Sequence, residues 1–127
     1  MPLVEFPYTF HKGYLLPIIP ITILGHRVWV FVDSGAAFTI LSVDDAHRIG
    51  IEWQRGRQQM IVVGDGSFIP TYFHDLPIQI DQWEVTAPIG FSERLGVGFN
   101  LLGRKGIFDQ FQVCFNDQTR KVTFQKI

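Results

Sequence analysis

Cysteine is almost missing from this chain. Cys114 is the sole example, which excludes an internal disulfide and favours a reducing, cytoplasmic setting. Charge is also sparse and balanced. There are 11 basic against 12 acidic residues, 18% of residues are charged, and the formal net charge is -1. No run of like charge stands out, so neither nucleic acid nor an anionic membrane surface is an expected partner. The N-terminus has no basic region followed by an apolar core, so we expect no secretory signal. Residues 14–24 are apolar, but the stretch is short and Pro17 and Pro20 interrupt it, which fails the length test for a membrane span. His11, His26, His47 and His74 are scattered without ligand spacing. We therefore expect no metal and no cofactor. No repeat, linker or low-complexity segment is visible.

Hydrophobic side chains and aromatics are plentiful. Hydrophobic residues make up 46% of the 127 positions, with 12 Phe and 3 Trp. That composition describes a globular protein long enough to bury a real core. We expect one domain over residues 1–127, mainly β, with one or two short helices.

Taken in order, residues 1–13 mix apolar and polar positions around Pro2 and Pro7 and read as an N-terminal arm or edge strand. Residues 18–24 and 28–32 read as a hairpin turning at Gly25-His26, with His26 solvated. The second strand, VWVFV, has no polar alternation and predicts a strand covered on both faces. Residues 38–42 form a further strand. Ser42, with Asp45 three residues on, predicts a capped short helix through Arg48 that ends at Gly50. Residues 52–58 read as a polar loop. Residues 60–63 and 68–73 flank Gly64-Asp65-Gly66-Ser67, a glycine-rich tight turn. Residues 76–80 and 83–91 alternate as a hairpin with one buried face. Residues 92–98 are a loop, and residues 104–111 suit one or two helical turns. Residues 111–115 and 122–125 close the chain as a hairpin, with Cys114 expected as a small buried hydrophobe.

The chemistry concentrates at the end of VWVFV. Asp33, Ser34 and Gly35 terminate an apolar run, and an ionisable group there is costly unless it is paired or working. A structural turn is the simpler account, since Asp-Ser-Gly is a common turn sequence. Leu101-Leu102-Gly103-Arg104 stands about seventy residues later. In that order the two motifs resemble those of the retropepsin-like aspartic proteases. There a hydrophobic strand ends in Asp-Thr/Ser-Gly-Ala, here Asp33-Ser34-Gly35-Ala36, and a hydrophobic-hydrophobic-Gly-Arg segment passes behind the catalytic loop. The likeness covers roughly residues 15 to 127. It is closer to single-domain cellular and bacterial members, which often carry a Thr at the position of Thr39.

The resemblance implies a single-domain acid-protease β-barrel and a peptidase working without metal or cofactor. Asp33 would supply one carboxylate, Ser34 would hydrogen-bond across a two-fold axis, and Gly35 would admit close backbone approach. Ala36, Gly64, Asp65, Gly66 and Ser67 would contact substrate as floor and flap, though the glycine-rich turn also suits an ordinary surface hairpin. Leu102, Gly103 and Arg104 would support the loop. Aspartic catalysis needs two carboxylates sharing one proton, and the chain offers one such motif. A peptidase of this kind must therefore be a homodimer acting on a peptide or unfolded protein. Ala37 replaces the Asp that pairs with the motif arginine in viral members, so Arg104 either finds Asp109 or faces solvent. Asp44, Asp45, Asp75, Asp81, Asp109 and Asp117 read as caps or solvated turn residues. Two other readings stay open. One is a catalytically weak or inactive dimer of the same fold that binds peptides or partners. The other is an unrelated small β-barrel that matches by chance.

Overall fold

The computed structural model describes residues 2–127. Period-two burial organises most of it. The strand β1 (Leu3–Pro7) lies at one edge of a three-stranded sheet, against β12 (Lys121–Lys126), which in turn pairs with β11 (Phe111–Asn116). Tyr8 is buried beside it and donates to Asp117 Oδ1 at 2.7 Å. Burial and the Asp117 carboxylate push the Tyr8 phenol up to about 12. The short strands β2 (Thr9–His11) and β3 (Tyr14–Leu16) form a separate hairpin.

The remaining strands make a seven-stranded sheet that curls until its first strand reaches the last but one. It comprises β4 (Ile18–Ile23), β5 (His26–Val32), β6 (Thr39–Ser42), β7 (Arg57–Val62), β8 (Phe68–Ile80), β9 (Trp83–Ser92) and β10 (Leu101–Leu102). Their spatial order is β4-β5-β10-β6-β9-β8-β7, and a β4–β8 contact at Thr22 and Gln79 closes the barrel. The contact shields part of the β4 edge, while β7 stays at the edge of the sheet. The two-residue β10 runs parallel to β5 and antiparallel to β6, threaded between them. Inside lie Ile19, Ile21, Ile23, Ile78, Ile80 and Ile89, all at most 1% exposed. Each contributes roughly 1.5–3 kcal/mol on burial.

The helix α1 (Val43–Ile49) begins as its sequence predicts. Ser42 Oγ accepts from the Asp45 N–H at 3.1 Å, and Gly50 ends the helix in the left-handed region at φ 92°. Asp44 and Asp45 occupy its first turn, where the helix dipole favours negative charge.

Three local expectations are corrected. β5 is covered on one face only: Val28, Val30 and Val32 are buried, while Trp29 is 47% exposed and Phe31 half-buried. Its outer face is only partly covered, with Phe99 stacked on Phe31 and Trp29 left open, so an apolar run there does not mark a two-sided core. Residues 52–58 are not a simple loop. Trp53–Arg55 make a single 3₁₀ turn, Trp53 is buried, and β7 starts at Arg57. Residues 104–111, by contrast, do contain the expected helical turns: Phe108 donates to the Arg104 carbonyl at 2.9 Å and Phe111 to that of Ile107 at 3.1 Å, without joining into a continuous helix. Cys114 is exposed, because β11 is an edge strand with that side chain on its open face.

Candidate active site

Asp33 follows directly on β5, and the strand decides where it sits. Phe31 donates its N–H to the Asn100 carbonyl at 2.9 Å, and Asp33 donates to Leu102 at 3.1 Å. The residue preceding β10 and its last residue thus hold the end of β5 like a ruler. Beyond Asp33 the chain folds back at once. Ala36 donates to the Asp33 carbonyl at 3.2 Å, and Gly35 donates to Asp33 Oδ1 at 2.8 Å. One carboxylate oxygen is therefore spent on the turn, and Oδ2 has no hydrogen-bond partner among the described residues. Asp33 is half-buried, with Ser34 and Gly35 exposed beside it.

Behind this loop lies a tight backbone crossing. Gly103 is buried, and an added Cβ would overlap the Phe38 carbonyl and crowd that of Ala36 at 2.9 Å. Only glycine lets β10 approach so closely. Its N–H donates to Thr39 Oγ1 at 3.0 Å, and Thr39 is fully buried. Arg104 and Lys105 donate their N–H groups to the Ala36 and Ala37 carbonyls, each at 2.9 Å. Four consecutive residues, 102–105, thus grip the Asp33–Thr39 loop by backbone alone. The Arg104 side chain is exposed and has no ion pair among the described residues, so of the two fates open to it, it faces solvent.

A cavity of about 420 Å³ opens in front of Asp33. Its lining is mostly apolar: Ala36, Ile40 and Leu101 come from the loop and its neighbours, and Val62, Val63 and Gly64 come from the β7–β8 hairpin. Leu95, Val97 and Phe99 complete it from residues 92–99. Phe99 stacks on Phe31 at 5.6 Å between ring centres and meets His11 edge-on at 4.8 Å.

The hairpin tip is a compact turn. Gly66, at φ 85°, donates to the Val63 carbonyl at 2.8 Å, and Asp65 Oδ1 accepts from the Ser67 hydroxyl and N–H at 2.6 and 2.8 Å. Those bonds hold the Asp65 carboxyl below the usual carboxylate range, with Arg94 adding a small push the same way. Arg94 also reaches Ser67 Oγ at 3.4 Å, so the hairpin tip and the 92–98 loop touch.

Of the residues singled out in the sequence, Asp33, Gly35, Ala36 and Gly64 line one cavity. Leu102, Gly103 and Arg104 lie behind it. Ser34 projects at the exposed turn, and Asp65, Gly66 and Ser67 form the tip without lining the cavity. Sequence reasoning missed Phe99, Leu101 and the Val62–Val63 pair as lining. Their apolar character was visible, but only the fold turns them toward Asp33. Among the described residues no three His, Cys, Asp or Glu side chains gather closely enough to hold a metal ion. Among the described residues no helix is long and apolar enough to cross a membrane.

Residues 19–103 match the aspartyl protease family. The UBA domain-containing protein Mud1 of Schizosaccharomyces pombe is 31% identical over 112 residues, covering 87% of this chain. The chain spans only 33% of that relative's length. Among solved structures, a retropepsin-like aspartic protease from Rickettsia conorii superposes with a TM-score of 0.72 at 16% identity, over 97% of this chain and 91% of that one. The EIAV protease complexed with the inhibitor HBY-793 gives a TM-score of 0.57 at 18% identity, over 76% of this chain and 88% of that one. The fold is thus the retropepsin-like one, and a chance match by an unrelated barrel is excluded.

Proposed function

The chain belongs to the aspartyl protease family, and on that premise we propose that it is a homodimeric aspartic endopeptidase whose two Asp33 carboxylates meet across a two-fold axis. The observation that carries this reading is Asp33 itself. It is fixed by Leu102 and Gly35, has no hydrogen-bond partner on Oδ2 among the described residues, and opens into an apolar cavity.

The chemistry follows from two carboxylates held close together. They cannot both ionise, so the pair carries one proton. The ionised member takes a proton from water, and the protonated member donates toward the carbonyl oxygen of the peptide bond. The water oxygen adds to the carbonyl carbon. Proton transfer to the nitrogen then breaks the C–N bond. No covalent enzyme intermediate forms, and no cofactor is needed. Gly35 leaves room for the carbonyl, and the Ser34 hydroxyl holds the two loops together. The β7–β8 hairpin, tipped by Asp65, Gly66 and Ser67, closes over an extended peptide as a flap. The cavity lining favours apolar side chains beside the cut bond.

A second chain needs a surface to meet. β11 has β12 on one side, and among the described residues no strand lies on the other. Gln110 accepts from Ile127, so by the alternation of an antiparallel ladder Phe111, Val113 and Phe115 turn their backbone groups to the open edge. Only one two-fold register pairs all three: Phe111 with Phe115, and Val113 with itself. It also covers Phe115, which is 41% exposed in one chain.

The test is cleavage of a denatured protein between mildly acid and neutral pH, with the mass of the enzyme in solution recorded. A wild-type dimer that cleaves beside a dimeric but silent Asp33→Asn supports the reading. A wild-type dimer silent at every pH would favour the binding-module alternative.

A further inference from the structure

We propose that Asn100 is the positioning residue that sets the catalytic loop, acting through β10 on Asp33; the inference rests on the peptidase reading above. It stands on geometry that the roles assigned to the two motifs leave unused.

Asn100 is 8% exposed, and three of the four hydrogen bonds its amide can make are formed. Its Nδ2 donates to the Trp29 carbonyl at 2.9 Å and to Asp45 Oδ2 at 2.7 Å. Its Oδ1 accepts from the Ser42 N–H at 2.9 Å. One side chain thus ties β5, the end of β6 and the first turn of α1. Its own backbone carbonyl meanwhile receives the Phe31 N–H at 2.9 Å. Two residues along, Leu102 holds Asp33.

This arrangement answers a problem the fold creates. β10 is only two residues long and pairs through Leu101 and Leu102 alone. So short a strand cannot fix its own register by ladder bonds, and a slip by one residue would reverse which side chains face the core. Asn100 supplies the missing constraint from outside the ladder. The charged groups facing it are Asp45 and, through Asp45, Arg48, whose Nη2 donates to Asp45 Oδ1 at 2.7 Å. With both polar atoms of the Asn100 amide paired, the network specifies one arrangement, because Trp29, Ser42 and Asp45 would each lose a partner in any other.

The test compares wild type with Asn100→Leu and Asn100→Asp, both as dimers, using a peptide substrate. Asn100→Leu should lower kcat by about 10–100-fold, since ångström-scale misplacement costs that much, while KM moves by less than about threefold. Asn100→Asp sets a carboxylate against Asp45. Its kcat relative to wild type should be low at pH 7 and recover toward about pH 4–5, where the two acids share a proton. A merely structural role would give a ratio that tracks the folded fraction at every pH, whereas a positioning role lowers kcat in protein that is still fully folded, well below its melting temperature. A ratio flat with pH, or losses confined to KM, would overturn the inference. If Asn100→Leu does not fold, the acid recovery of kcat in fully folded Asn100→Asp carries the test alone. If wild type itself is silent, the peptidase reading fails. Hydrogen exchange over residues 28–36 then decides the placement: faster exchange in Asn100→Asp than in wild type at pH 7 sustains it, and equal exchange refutes it.

Discussion

Replacing Thr39 by valine removes one oxygen from the middle of the site and changes almost nothing else. Valine keeps the β-branch and the strand preference of residue 39. It cannot accept the Gly103 N–H, which now ends on Thr39 Oγ1 at 3.0 Å. Both residues are buried, so water cannot replace the lost acceptor. An orphaned buried donor costs about 1–3 kcal/mol. A methyl at the hydroxyl position would also sit inside the ~3.5–4.0 Å preferred between such atoms, so Gly103 must retreat by roughly half an ångström. Gly103 cannot retreat alone. Leu102 holds Asp33, and Arg104 holds Ala36. The melting temperature should therefore fall by ~4–12 °C, at ~4 °C per kcal/mol for a chain of this size. Peptide cleavage should fall with it. Thr39→Ser is the control, since it keeps the oxygen and loses one methyl, worth ~0.8 kcal/mol. Thermal unfolding and cleavage of both variants are read side by side. A Thr39→Val protein as stable and as active as Thr39→Ser would refute the assignment of that hydrogen bond to the site.

Gly103→Ala places a Cβ on backbone atoms of Phe38 and Ala36 that no rotamer can move, so it should cost more than about 3 kcal/mol and cut soluble yield in a denaturant-melt comparison. At the β11 edge, Gln112→Cys should lie directly opposite Cys114 of the partner subunit, within disulfide reach at about 4.5 Å between Cα atoms. Mild oxidation should then give a covalent dimer on a non-reducing gel. A Gln112→Cys protein that stays monomeric on the gel contradicts the register. Burial would raise the Asp45 carboxyl, but hydrogen bonds from Asn100, Arg48 and Ser42 outweigh it and hold the group below its ordinary value. With the folded value depressed, its contribution to stability is whole above the ordinary value and is lost as pH falls through the folded one. Melting temperature followed downward from pH 6 should therefore drop more steeply in wild type than in Asp45→Asn, and equal slopes would show the carboxylate is not engaged.

Much of this site was legible because its chemistry is local. Asp33-Ser34-Gly35 ends an apolar strand, and Ser42 with Asp45 announces a helix start within four residues. The Leu102-Gly103 pair was legible only beside Asp33, since a glycine after two leucines has no meaning until a backbone must pass close by. What escaped notice depended on distant partners. Nothing near Asn100 signals that Trp29, Ser42 and Asp45 converge on it. Trp53 lies in a polar stretch and is buried only because Tyr72 of β8 packs edge-on against it at 5.2 Å. The apolar run at Trp29 and Phe31 suggested two covered faces, whereas the chain supplies a layer for only one. Cys114 shows the converse: a residue type that favours interiors sits on the open face of an edge strand. The second carboxylate that the proposed mechanism needs is legible only as a chemical requirement, because this sequence offers one Asp-Ser-Gly motif.

The central claim is that one site is built from two chains, and subunit mixing tests it most directly. Wild type and a tagged Asp33→Asn are unfolded together in equal amounts, refolded, and assayed for peptide cleavage without separation. If two Asp33 carboxylates form one site, only dimers of two wild-type chains cut, and random pairing leaves about one quarter of the activity of the same total protein as wild type. If each chain works alone, about one half remains. The shared site predicts the lower value, falling with the square of the wild-type fraction as the mixture is varied. A straight-line dependence on that fraction would contradict it.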